Sequence, residues 1–176
     1  GGVYVDLPDD LMGQTIEQSA ADALLVPAAN LAPSQPADPA AVDKALTLLE
    51  NAKNPLIILG KGAAYARAEK EIAEFVGKTD IPYQPMSMAK GLIPDDDPHS
   101  TASCRGLAMR TADVILVIGA RLNWMLSYGK GRQYNPDVKF IQIDIDESEF
   151  GNARHIDCPV LGDIKTVMGQ FNERLA

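Results

Sequence analysis

Four short stretches carry the side chains best suited to grip an anion or a sugar hydroxyl. Gly60-Lys61-Gly62 follows an apolar run and opens a helical pattern, so backbone amides and an ammonium could face a phosphate there. It is only a fragment of the dinucleotide fingerprint, because Tyr65 holds the place of the third glycine. Nor is it a P-loop: no Ser or Thr follows Lys61, and no glycine lies five residues before Gly60. A tight turn with a solvated lysine explains the stretch equally well. Arg121, after Gly119-Ala120, offers a bidentate guanidinium fork. Asp144 ends the next apolar run, at an offset that suits a carboxylate accepting two ribose hydroxyls. The bland alternative is a strand-end aspartate closing a turn. Asp163, after Gly162, reads first as a helix cap, with the backbone at Ile164 free to meet an adenine edge.

These residues need elements to hold them. Val42, Ala45, Leu46 and Leu49 recur at helical spacing and predict a helix ending before Pro55. Leu56–Leu59 reads as a buried strand, and the stretch after Gly62 as one helix with Tyr65, Ala68, Ile72 and Phe75 on a single face. Ile81–Met86 is a weaker strand broken by Pro82 and Pro85, and Ser100 or Thr101 could cap a helix reaching Thr111. Val114–Ile118, Lys139–Ile145 and Pro159–Gly162 are further strands. Between the last two lies a helical turn at Glu147–Phe150, and after them a helix carrying Ile164, Val167, Met168 and Phe171 on one face. Strands alternating with helices at this spacing predict a doubly wound parallel α/β sheet. In such sheets ligands sit beyond the carboxyl ends of the strands, where Lys61, Arg121, Asp144 and Asp163 all fall. Their convergence on one rim suits a nucleoside phosphate.

Composition narrows the function classes. A chain of 176 residues fits one domain. Residues 1–50 carry eight carboxylates against Lys44 alone, while the remainder is nearly neutral, with 16 carboxylates against 15 Lys and Arg. No basic stripe is present to neutralise phosphates along a nucleic acid. Apolar runs of four and five residues fall far short of the ~20 that cross a bilayer. Two cysteines without metal-ligand spacing, and no signal peptide, predict a cytoplasmic chain. Residues 8–41, with five prolines, predict a surface linker rather than continuous helix or sheet. The domain proper is then 39–176, preceded at 1–38 by an entering strand and linker. The start at Gly1-Gly2 reads as an excised piece of a longer protein. Catalytic constellations are absent: His99 and His155 read as surface residues and Cys104 as a small buried thiol. Met86, Met88, Met109, Met125 and Trp124 read as packing.

The runs Ala112–Trp124, Phe140–Asp146 and Pro159–Ile164 resemble the central domain of thiamine-diphosphate-dependent enzymes, and Gly2–Pro8 is similar to the last strand of their preceding domain. Leu59–Tyr65, Met86–Gly91 and Arg121–Trp124 resemble the oxalyl-CoA decarboxylases among them. The resemblance implies a Rossmann-like domain without catalytic or metal-binding residues, in a parent that binds thiamine diphosphate and Mg²⁺ on flanking domains and assembles as a homo-oligomer. It implies ADP as an activator at Lys61, Arg121, Asp144, Asp163 and Ile164. It implies acyl-CoA contacts in the Ala102–Gly106 loop, notably Ala102 and Arg105, although Ser103-Cys104 departs from the family there. The Gly-Asp-Gly and Asn segment that holds magnesium is missing, as Ile164 follows Gly162-Asp163. A 2-hydroxyacyl-CoA lyase parent shares the fold. A free-standing ADP- or CoA-sensing module is the third reading, and the Gly-Gly start argues against it.

Overall fold

The computed structural model describes residues 4–25 and 33–175. They fall into two compact units divided after Pro33. The first contains two short helices, α1 (Asp9–Met12) and α2 (Gln18–Leu24), with no buried residues. Pro8 stands at the N-cap of α1, where its missing N–H costs nothing, and α2 lies in the proline-free stretch before Pro27. Helix therefore forms inside the predicted linker. Of the expected entering strand, Gly1–Val3 lie outside the described residues, while Tyr4–Leu7 are exposed and belong to no strand.

In the second unit, five strands among the described residues form one parallel sheet: β1 (Pro55–Leu59), β2 (Tyr83–Pro85), β3 (Val114–Ile118), β4 (Lys139–Asp144) and β5 (Cys158–Leu161). Their order is β2-β1-β3-β4-β5, the doubly wound α/β arrangement that the alternation of strands and helices predicts. Successive strand residues face opposite sides. Ile57, Leu59, Leu116, Ile118, Ile141 and Ile143 pack under α3 (Pro39–Glu50), α5 (Glu69–Thr79) and α7 (Ile164–Arg174). Leu56, Ile58, Ile115, Val117 and Phe140 pack on the other side against Met109 of α6 (Arg105–Thr111), Leu126, Tyr134 and Ile156. Both faces are covered, which is why the strands read as unbroken apolar runs rather than alternating ones.

Three expected elements differ. The helix after Gly62 is two helices, α4 (Lys61–Tyr65) and α5, because Arg67 turns left-handed with φ of 51° and breaks the ladder. Tyr65 is consequently exposed instead of sharing the buried face of Ile72 and Phe75. Helix α6 starts at Arg105, not near Ser100, because the segment before it is claimed by the sheet edge. Tyr83 donates its N–H to His99 O, and Thr101 returns its own to Tyr83 O at 2.8 Å. The Thr101 hydroxyl points its proton at Tyr83 O and Gln84 Oε1, 3.0 and 3.2 Å away, so the side chain is held against β2 rather than turned to the amides of a helix. Strand β2 begins only after Pro82, which has no N–H to give the ladder.

Candidate functional site

The chain leaves β1 toward β2 on one side and later returns to β3 on the other, so the sheet's switch point lies between β1 and β3. The turns after these strands are pressed together there. A Cβ on Gly60 would stand 2.2 Å from Gly119 O, so no larger residue fits. Gly119 itself adopts φ of 62°, and its Cβ would meet Ala63 N at 2.6 Å. The contact is sealed by Gly60 N–H donating to Ile118 O and Gly62 N–H to Gly119 O, both at 2.9 Å. The Gly60 and Gly62 amides are thus already bonded across the seam. What Gly60-Lys61-Gly62 offers a ligand is Lys61, the exposed first residue of α4, with its ammonium.

Beyond this seam lies a crevice of about 300 Å³ whose lining includes Lys61, Arg121 and Asp144. The structure thereby brings together three of the residues singled out from sequence. Asp144 is half-buried at the end of β4 and accepts the Asp146 N–H at 3.1 Å. Burial pushes its carboxyl above the ordinary range, against the opposing pull of the Asp146 and Ile145 amides and the Arg121 charge. Arg121 is exposed, and its Nε forms an ion pair with Glu149 Oε1 at 2.7 Å.

Asp163 and Ile164 are placed differently. The Asp163 carboxylate caps α7, accepting from Thr166 N at 3.0 Å and Thr166 Oγ1 at 2.9 Å, while its own N–H donates to Gln35 O. Ile164 is buried, and its Cδ1 lies against the Gly62 and Gly119 turns, supporting the crevice floor from behind. Neither residue lines the crevice. Ala102 is exposed in the turn before α6. Arg105 reaches the crevice margin, where its Nη2 donates to Met125 O at 3.2 Å and lies 3.9 Å from the Met86 sulfur.

Several residues depart from their expected roles. Met88, Met125 and Trp124 are exposed rather than packed, and the first two line the crevice with Tyr65. They sit on short turns that no element among the described residues covers, unlike the buried Met86 and Met109. The Trp124–Gly129 turn holds Ser127 and Tyr128 in left-handed conformations, fixed by Tyr128 N–H on Asn123 O and by the Tyr134 hydroxyl on Leu126 O. Cys104 is exposed at the N-cap of α6, not buried, because α6 starts late; Cys158 is the buried thiol. His99 is not a free surface histidine. Its two ring nitrogens meet Asp97 Oδ1 at 3.0 Å and Asp80 Oδ1 at 3.2 Å, and these contacts raise its pKa. Glu149 carried no sequence signal, since its role depends on a partner 28 positions away. Among the described residues no three His, Cys, Asp or Glu side chains gather to hold a metal ion.

Residues 42–171 match the family described as thiamine pyrophosphate enzyme, central domain. The chain is 45% identical over 168 residues to oxalyl-CoA decarboxylase of Escherichia coli K12, covering 96% of this chain and 30% of that protein. It is 41% identical over 178 residues to 2-hydroxyacyl-CoA lyase of Arabidopsis thaliana, covering 99% of this chain and 31% of the lyase. The chain thus spans about 30% of the length of the curated relatives it matches. Among solved structures it is similar to benzoylformate decarboxylase from Polynucleobacter necessarius, with a TM-score of 0.69 over 85% of this chain and 30% of that one. At 22% identity that likeness speaks for the fold alone.

Proposed function

The chain belongs to the thiamine pyrophosphate enzyme family as its central domain, and from that premise we propose that it is the nucleotide-binding, non-catalytic centre of an oxalyl-CoA decarboxylase, with ADP seated in the crevice. The parent would convert oxalyl-CoA to formyl-CoA and CO₂ as a cytoplasmic homo-oligomer. The observation that carries the reading is the meeting of Lys61, Arg121 and Asp144 around one cavity at the switch point of the sheet. Ribose hydroxyls donate to the Asp144 carboxylate, and the Lys61 ammonium and Arg121 guanidinium take the diphosphate. The adenine would lie toward the start of α7, where Asp163 and Ile164 shape the adjoining turn. Ala102 and Arg105 are proposed to meet the acyl-CoA, with Arg105 on a CoA phosphate.

Thiamine diphosphate supplies this family with carbanion stabilisation. Among the described residues no three His, Cys, Asp or Glu side chains gather as a metal-binding group, and the flanking domains of the parent are proposed to hold the cofactor and its magnesium.

Titration calorimetry of this chain with ADP should show binding that Asp144→Ala weakens by about tenfold or more, the loss expected for hydrogen bonds to a charged group. No heat with the unaltered chain, or equal affinity after the substitution, would refute the assignment. Decarboxylase turnover by this chain alone would remove the non-catalytic reading. The lyase relative keeps a second parent open at similar identity. Supplying the full-length parent with oxalyl-CoA and with a 2-hydroxyacyl-CoA in separate assays decides between them.

A further inference from the structure

Arg121 does not hang free, although 58% of its side chain is exposed, because its Nε is held by a Glu149 carboxylate that is itself only 16% exposed. A guanidinium grips anions along two edges, and a partner on Nε leaves the edge formed by the two Nη groups open. Glu149 is in turn fixed by its surroundings. It closes the turn Glu147–Glu149, giving its N–H to Asp146 O at 3.1 Å, while Asp146 Oδ1 accepts the Ser148 N–H at 2.9 Å. Gln142 Nε2 makes a long bond of 3.5 Å to Glu149 O. The Asp146 N–H reaches back to Asp144 Oδ1, so the carboxylate offered to the ribose and the one that grips the arginine share one connected loop.

Arg121 also stands between two hollows. One is the crevice of Lys61 and Asp144; the other is a cavity of about 230 Å³ that Glu149, Asn152 and Tyr128 help to line. Released from Glu149, the long side chain would be free to sample both. We infer that Glu149 is a positioning residue, pinning Arg121 by Nε so that its remaining edge is presented to the diphosphate of the bound nucleotide. The inference rests on the nucleotide reading above. Holding the side chain in advance removes the entropy that binding would otherwise lose in ordering it. Glu149 also opposes the incoming anion by its charge, and the two effects can be separated. Glu149→Gln keeps an acceptor for Nε and drops the charge, whereas Glu149→Ala drops both.

The test is the Kd for ADP of this chain carrying each substitution, in the native background and with Arg121→Ala, with melting curves to establish that each variant is folded. Glu149→Ala should bind roughly two- to tenfold more weakly than Glu149→Gln, the range for immobilising one rotamer-rich side chain. The difference should vanish when Arg121 is absent. Equal constants for the two variants would overturn the inference, as would a difference that persists with Arg121→Ala, which would mean that Glu149 acts only through the turn it closes. If the native chain does not bind ADP, the nucleotide reading falls and this inference with it. If it binds and the two variants are equal, only the inference falls.

Discussion

Replacing Gly119 by alanine tests the seam on which the crevice is built. Two costs combine. The backbone there has φ of 62°, a left-handed conformation that penalises an L side chain by about 1–2 kcal/mol. The added Cβ would also stand 2.6 Å from Ala63 N and 2.8 Å from Gly62 C, which are backbone atoms of the neighbouring turn and cannot swing aside. Forcing a methyl group into packed surroundings costs typically 1–3 kcal/mol, so the substitution should destabilise by roughly 2–5 kcal/mol. Gly91 supplies the control, because it too has positive φ, 87°, but no atom of the described residues lies within 4 Å of its would-be Cβ. Gly91→Ala should carry only the conformational cost, about 1–2 kcal/mol. The assay is urea unfolding followed by circular dichroism, comparing midpoints at a common slope, with a thermal melt beside it. At roughly 2–4 °C per kcal/mol for a chain of this size, Gly119→Ala should lower Tm by about 4–20 °C. Equal midpoints for the two variants would refute the view that the turns after β1 and β3 are rigidly apposed, and with it the fixed geometry of the crevice.

His99 should make stability fall with rising pH. Its contacts with Asp97 and then Asp80 raise its folded pKa, so the stabilisation is full below the unfolded value of about 6.5 and is lost as pH climbs through the folded one. The unfolding midpoints of the native chain and His99→Gln should therefore converge in alkali; a gap that widens there would contradict the bridge. Asp113 should behave in the opposite sense. Burial pushes its carboxyl up, but backbone N–H donors including Lys53 and Asn54, at 2.8 and 2.9 Å, outweigh that and hold it below its usual value. Its contribution is present above an unfolded pKa of about 3.9 and is lost as pH falls through the folded value, and Asp113→Ala should cost about 1–3 kcal/mol at neutral pH; an unchanged urea midpoint would show those amides to be satisfied otherwise. Phe171→Ala should cost about 3–5 kcal/mol in urea unfolding, because the ring is fully buried and edge-on to Phe75 at 5.7 Å. A loss under about 1 kcal/mol would mean that α5 and α7 close over the gap.

Local sequence goes a long way where burial is two-sided. Val114–Ile118 is a strand from end to end as the apolar run predicts, and the run at Leu56–Leu59 is a strand that takes in Pro55 as well. The cap of α7 at Asp163 was equally readable, since a helix cap is made within three residues. Errors occur where a distant group competes for the same atoms. Thr101 has the right chemistry to cap a helix, but the edge of β2 claims it. Arg67 has no side-chain feature that announces a left-handed break, so α4 and α5 read as one. Lys61, Arg121 and Asp144 line one crevice because each follows a strand of the same parallel sheet, a placement that chain order makes legible. Chain order does not reveal that the Gly60 and Gly62 amides are already used or that Asp163 is occupied by Thr166.

The sequence by itself determined the sheet, because unbroken apolar runs spaced by amphipathic helices have few other ways to leave water. It also determined which residue types would stand at the strand ends, since chain order and strand direction place them there. Only the tertiary structure decided which of those groups remain available to a ligand. Hydrogen-bond capacity is finite, and whether Gly62 meets a phosphate or Gly119 O, or whether Arg121 stands free or rests on Glu149, depends on atoms far apart in the chain that the fold alone makes neighbours.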